Sequence, residues 1–295
     1  MTENDFAIDF IGIGAAKSGT TWLAKALSAH PGICFSSVKG TKFFYRTLQK
    51  GRNEFLRYDG SNIGDYGFFF KSCGPGKLRG EFSAGYMREP RAAEDIQRHF
   101  PDVKIIAILR EPVSRFISHY HFRRFNQKGD QSPIESEISR DSELGYAGMY
   151  ADHLRPFFDR FPREHIYILI YEEVMAQPQV ALRDLYRFLG VDDSYIPHEV
   201  IGVRVNKGGK VRFAFIMYAL EAVHRLMIRL GIAWLVGGAT RRRLQAFVER
   251  LNFTRHEAEP VDGETRRRIR ALYSEDRMKL EALIDRDLTP FWGRA

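Results

Sequence analysis

The apolar positions of this chain change period several times, and each change marks an element boundary. Phe10-Ile11-Gly12-Ile13-Gly14 is a continuous apolar run of the kind a strand carries when both its faces are covered. The run breaks into the small polar turn Ala15-Ala16-Lys17-Ser18-Gly19, after which Trp22, Leu23, Ala26 and Leu27 recur at helical spacing. This predicts a strand, a loop and a helix that begins at about Thr20 and stops at His30-Pro31-Gly32, where proline cannot continue a helix and glycine permits a reversal.

Ile33-Cys34-Phe35 predicts a short second strand, followed by a polar segment from Ser36 that ends in the aromatics Phe43 and Phe44. A short helix is expected over Glu54 to Tyr58, and a loop over Gly60 to Gly76 anchored by Phe68-Phe69-Phe70. Leu78 to Ser83 predicts a strand running into a turn, Pro90 to Phe100 a helix, and Val103 to Leu109 the clearest buried strand of the chain. That strand ends in Arg110-Glu111-Pro112, with proline placed for a helix's first turn, and the helix runs to about Phe125. Asn126 to Pro133 is polar and is expected to be a mobile loop. Tyr150 to Phe161 and Val180 to Leu189 are expected helices, the second closed by Gly190, with a strand from His165 to Tyr171 between them.

Strands alternating with helices imply right-handed crossovers, and so an α/β fold with a mainly parallel central sheet flanked by helices in three layers. A single domain over residues 1–295 is expected, with a mainly helical C-terminal part from about 211. Val203 to Lys210 has the composition of a loop. Phe213 to Leu235 is apolar but carries Glu221, His224, Arg225 and Arg229, too many charges for comfort in a bilayer. It reads as an amphipathic helix packed on the domain, with an interfacial membrane helix or a partner surface as the alternative. Glu264 to Arg286 predicts a charged terminal helix, and Leu288 to Trp292 a docking tail.

Composition narrows this picture. With 295 residues, 44% of them apolar, the chain can bury a full core, and its net charge of +8 suits an anionic ligand. Nucleic acid is disfavoured, because the basic residues are dispersed and only Arg241-Arg242-Arg243 and Arg266-Arg267-Arg268 are tight runs. Cys34 and Cys73 have no metal-type spacing and give no disulfide framework, which favours a reducing, cytoplasmic compartment and no structural metal. The polar N-terminus is expected to lead straight into the first strand, without a signal peptide or anchor helix.

The first loop carries the chemistry. Glycines let backbone N–H groups converge, the following helix adds its unpaired N–H groups and positive dipole end, Lys17 adds a full charge, and Ser18, Thr20 and Thr21 add hydroxyls. Together they suit a phosphate or sulfate group. The nucleotide-triphosphatase loop places its lysine after the second glycine, whereas Lys17 precedes Gly19. The order Lys17-Ser18-Gly19-Thr20-Thr21-Trp22 resembles instead the 5′-phosphosulfate loop of sulfotransferases that use 3′-phosphoadenosine 5′-phosphosulfate (PAPS).

Arg110, and Ser118 eight residues on, offer a guanidinium and a hydroxyl for a second phosphate, and Ile108 to Tyr120 resembles the element that binds the 3′-phosphate of PAPS in that family. Asn206-Lys207-Gly208-Gly209-Lys210 resembles the family's loop over the 3′-phosphate and adenosine, which assigns Lys207, Gly208, Gly209 and Lys210 to the nucleotide. Gly80-Glu81-Phe82-Ser83-Ala84-Gly85-Tyr86 resembles the Glu-Lys-Ser-x-x-Tyr turn of the heparan sulfate and carbohydrate branch, with Phe82 in place of the lysine. Tyr150 to Leu154, Ile166 to Glu173, Phe188 to Val191 and the proline-aromatic-Trp ending are further likenesses.

The resemblance implies a PAPS-dependent sulfotransferase that needs no metal and acts on a hydroxyl or amine acceptor, with Glu81 as general base and Lys17 neutralising the leaving oxygen. His119 and His121 are rival bases. Lys39 and Lys42, where Gly40 replaces the family's glutamate, would contact the transferring sulfate or an anionic acceptor. The alternatives are a P-loop kinase or nucleotidase and a non-catalytic nucleotide-binding interaction protein.

Overall fold

A computed structural model of the chain describes residues 7–46, 58–126, 132–201, 209–211, 253–255 and 260–293. They fall in two compact units, one of residues 1–120, 132–205 and 261–295, the other of residues 121–131 and 206–260.

The first unit is built on five parallel strands in the order β2-β3-β1-β4-β5. These are β1 (Phe10–Gly14), β2 (Ile33–Phe35), β3 (Leu78–Phe82), β4 (Lys104–Leu109) and β5 (Ile166–Ile170). Alternation along the strands sorts their side chains into two cores. Ile11, Ile13, Ile105, Ala107 and Leu109 pack with α2 (Ala92–His99), α5 (Tyr150–Phe158) and α8 (Gly263–Ile284). Phe10, Phe82, Ile106 and Ile108 pack on the other face with α1 (Thr20–Ala29) and α7 (Pro178–Leu189). β1 and β3 fit through two reciprocal pairs: Phe10 lies opposite Gly80 and Phe82 opposite Gly12, and each ring occupies the space a Cβ on the facing glycine would need.

α3 (Pro112–Asn126) begins at Pro112, and its first free N–H groups, those of Val113 and Ser114, are capped by the Glu111 carboxylate at 3.1 and 2.7 Å. Its buried side packs with α4 (Glu143–Tyr146) and α8 through Phe116, Leu144, Ile269 and Tyr273. Gly190 closes α7 at φ 82°, as its sequence position predicts. α6 (Tyr171–Ala176) follows β5 directly. The tail folds as α9 (Thr289–Trp292) and docks: Leu288 and Trp292 are buried, and the indole N–H donates to Glu172 at 3.1 Å. No described helix is long and apolar enough to cross a membrane.

Three expectations are corrected. Ile63–Phe70 is a 3-10 helix rather than loop, with Tyr66, Phe69 and Phe70 buried. Gly209 and Lys210 belong to a strand, β6 (Gly209–Val211), paired antiparallel with β7 (Phe253–Arg255) in the second unit. Cys34 and Cys73 are joined in a disulfide, with Cα atoms 5.6 Å apart, so the case for a reducing compartment built on free thiols falls. Residues 39 positions apart could not be matched from spacing alone; the fold brings the end of β2 beside the turn after the 3-10 helix. The expected helix at Glu54 to Tyr58, except Tyr58 itself, the interior of the Asn126 to Pro133 loop and the segment Phe213 to Leu235 lie outside the described residues.

The cross-link yields a first prediction. Closing a loop of this length restricts the unfolded chain enough to contribute about 2–4 kcal/mol. Cys73→Ser is expected to lower the urea midpoint accordingly, with reductant bringing the native protein down to the variant's value. Equal midpoints with and without reductant would contradict it.

Candidate functional site

β1 and β4 are neighbours whose onward connections diverge, β1 through α1 to β2 on one side and β4 through α3 towards β5 on the other. The C-terminal ends of strands that diverge in this way are where ligands sit in parallel α/β sheets. The loop leaving β1 turns tightly because Lys17 (φ 71°) and Gly19 (φ 87°) both adopt left-handed backbone. Gly19 is doubly constrained, since a Cβ there would stand 2.8 Å from the Tyr171 ring. α1 then starts at Thr20 with no described side chain capping it, and its first-turn N–H groups point out of the helix end.

Arg110 reaches this loop from the end of β4, with Nη1 donating to the Lys17 carbonyl at 3.3 Å across 93 positions of chain. Its guanidinium lies over the Tyr171 ring at 5.0 Å, and its own carbonyl accepts from the Tyr150 hydroxyl at 2.9 Å. Its buried Nε has no hydrogen-bond partner among the described residues. Lys39 extends from the loop after β2 and donates to Thr21 Oγ1 at 2.8 Å and Thr20 Oγ1 at 3.4 Å. The Lys17 ammonium is pushed down to about 8 by burial, then by the charges of Arg110 and Lys39. That of Lys39 is also lowered to about 8, by the atoms packed round it and then by Lys25; its side chain as a whole stays open to solvent, so this lowering is the weaker of the two. Among the described residues, neither Lys39 nor Arg110 forms an ion pair with a carboxylate.

Glu81, at the end of β3, is fully buried. Oε1 accepts from Thr41 Oγ1 at 2.9 Å and from the Tyr66 hydroxyl at 3.1 Å, and Oε2 accepts from Ser83 Oγ at 2.8 Å. Burial pushes the carboxyl above its ordinary range, and hydrogen bonds from Tyr86, Ser83, Thr41 and Tyr66 pull it back. Lys39, which donates to the start of α1, and Thr41, which donates to Glu81, are two residues apart, so one short loop touches both the cation cluster and the carboxylate. Lys42 is exposed, at φ 57°, with its backbone N–H on Ser83 Oγ at 3.1 Å.

Among the remaining residues singled out from sequence, Ser18 is fully buried in the loop and Trp22 turns its indole N–H to the Val200 carbonyl at 3.1 Å. Ser118 is half-buried on α3. His119 packs against the buried Arg115, 3.4 Å from its Nη1, and His121 belongs to the second unit. Lys207 and Gly208 lie outside the described residues; Gly209 and Lys210 open β6. Thr41, Tyr66 and Tyr171 were not picked out from sequence. Thr41 and Tyr171 had only their closeness to Lys42 and to the acidic turn after β5 to recommend them. Tyr66 sits in a stretch with no periodic signal.

The family model described as "Sulfotransferase domain" matches residues 7–201. Heparan sulfate glucosamine 3-O-sulfotransferase 3B1 of Mus musculus is 27% identical over 188 residues, 61% of this chain and 45% of that protein. Bifunctional heparan sulfate N-deacetylase/N-sulfotransferase 3 of Homo sapiens is 27% identical over 217 residues, 68% of this chain and 24% of that one. The chain thus spans less than half the length of these curated relatives. A sulfotransferase crystal structure from Alicyclobacillus acidocaldarius matches with a TM-score of 0.65 at 23% identity, over 98% of this chain and 100% of that one, which shows a shared fold.

Proposed function

The chain belongs to the sulfotransferase domain family, and from that premise we propose that it transfers a sulfuryl group from PAPS to a hydroxyl or amine of a carbohydrate or small-molecule acceptor. The observation that carries this reading is the contact of Arg110 with the Lys17 loop at the C-terminal ends of β1 and β4, with Lys39 close enough to act on the Lys17 charge. Cations gathered at this density repel one another, and a multiply charged anion relieves the repulsion. The buried Nε of Arg110 and the start of α1, neither of which has a side-chain partner among the described residues, fit a phosphate-bearing ligand.

In this reading Lys17, Ser18, Gly19, Thr20 and Thr21 hold the 5′-phosphosulfate. Trp22 contributes its backbone N–H, because its indole is committed to Val200. Arg110 and Ser118 take the 3′-phosphate, and Lys207, Gly208, Gly209 and Lys210 close on the nucleotide. PAPS supplies an activated sulfuryl group whose bridging oxygen leaves with the nucleotide. Lys17 neutralises charge growing on that oxygen, and Glu81 takes the acceptor's proton. Because Glu81 is enclosed by hydroxyls, an acceptor hydroxyl reaches it by displacing one of them. Thr41, the immediate neighbour of the exposed Lys42, is the donor this reading assigns to that displacement. Lys39 and Lys42 face the transferring sulfate or an anionic acceptor.

The test is transfer of label from sulfur-labelled PAPS to a panel of carbohydrates, alcohols and amines, with and without EDTA. Acceptor-dependent transfer that survives EDTA is the expected result. Folded protein that shows no thermal shift with the desulfated nucleotide and no transfer to any acceptor would overturn the reading.

A further inference from the structure

The 3-10 helix Ile63–Phe70 holds none of the motif residues named in the sequence analysis, yet it delivers a hydroxyl to the buried carboxylate of Glu81. Tyr66 is itself fully buried in an aromatic cluster. Its ring stacks on Phe43 with centroids 4.8 Å apart, and it meets Phe44 at 5.2 Å and Phe70 at 5.6 Å. Packing of this kind leaves the phenol one direction in which to point, and Glu81 Oε1 lies there at 3.1 Å. Thr41 reaches the same oxygen from the opposite loop and Ser83 holds the other one, so both oxygens are fixed from different elements.

We propose that Tyr66 is a positioning residue for Glu81: its hydroxyl holds the carboxylate in one orientation and favours the charged form over the protonated one. This rests on the reading of Glu81 as the base. A buried carboxylate is costly unless hydrogen bonds replace its water, and an O–H donor satisfies the charged form better than the neutral one. The titratable groups facing Glu81 are Tyr66 from the 3-10 helix, Tyr86 from the turn after β3, and Tyr45 from the loop after β2. Burial holds all three phenols above their ordinary range, so they stay neutral while the carboxyl titrates. Among the described residues, Glu81 has no ion-pair partner. The hydroxyls are therefore what the carboxylate has in place of a countercharge.

Tyr66→Phe removes the hydroxyl and keeps the ring. Tyr58→Phe is the control: Tyr58 belongs to the same aromatic cluster, but its hydroxyl serves the Gly60 carbonyl at 3.0 Å and His99 Nε2 at 2.5 Å, not Glu81. Two readouts are taken on each variant: the Glu81 carboxyl titration, by infrared difference against Glu81→Gln, and the acid limb of kcat/KM against pH. Losing a donor to the charged form raises the carboxyl's pKa, so in Tyr66→Phe both midpoints are expected to move to higher pH. The shift should be about one to two units, the size of one hydrogen bond to a charged group. Tyr58→Phe is expected to leave both in place while losing comparable thermal stability. A carboxyl midpoint that stays put in Tyr66→Phe, or moves equally in Tyr58→Phe, overturns the proposal. A carboxyl midpoint that moves while the rate limb does not would uphold the role of Tyr66 and defeat the base assignment instead.

Discussion

Lys17→Ala is expected to lower kcat/KM for sulfuryl transfer by about 10²–10³-fold and to weaken binding of the desulfated nucleotide, because it removes a preorganised charge from the place where negative charge develops. Alanine at φ 71° carries the same left-handed strain as lysine, so the loop loses little beyond the ammonium. The pH dependence of binding sharpens the test. In the ligand-free protein Lys17 is pushed down to about 8 by burial, Arg110 and Lys39, so below that pH it is charged and receives an anion directly. Above it, binding must first take up a proton, and wild-type affinity falls as pH rises through about 8. Lys17→Ala should flatten much of this fall, leaving the weaker contribution of Lys39. Calorimetry from pH 7 to 9, in buffers of different ionisation enthalpy, measures the proton uptake. Wild-type turnover and an unchanged pH profile in Lys17→Ala would sink the assignment.

Glu81→Gln is expected to reduce kcat by about 10²–10⁴-fold, the usual worth of a positioned base, while nucleotide affinity stays near the wild-type value. The amide matches the carboxylate in shape, and the hydroxyls of Thr41, Tyr66 and Ser83 can each rotate to accept from an amide N–H as readily as donate. The fold should tolerate the change, so a lost rate reports the lost charge. Labelled-donor turnover paired with calorimetry of the desulfated nucleotide separates the two effects. Retained turnover would pass the base role to a histidine. Of the two histidines, His119 has its Nδ1 3.4 Å from Arg115 Nη1.

Most strands and helices of the first unit were legible because their signals are local. The run Lys104–Leu109 carries its buried pattern in six consecutive residues, and Gly190 marks the end of α7 by what its missing side chain permits. Ile63–Phe70 is a 3-10 helix that local pattern does not reveal. Its residues follow neither helical nor strand period; what holds them is an aromatic cluster whose members come from distant positions. The Cys34–Cys73 cross-link is hidden for the same reason. Partners 39 residues apart reveal themselves only when β2 and the later turn are side by side.

Chain order alone determined the strand, glycine loop and helix around Lys17, the strand bearing Glu81 and the strand ending at Arg110, since period, propensity and turn chemistry act over a few neighbouring residues. Tertiary structure decided that Arg110 grips the Lys17 carbonyl from 93 positions away, that Tyr171 backs the guanidinium, and that Tyr66 and Thr41 close on Glu81. Those contacts depend on the order in which the strands lie side by side. That order is set by the summed burial of two core faces, a quantity no short stretch of sequence contains.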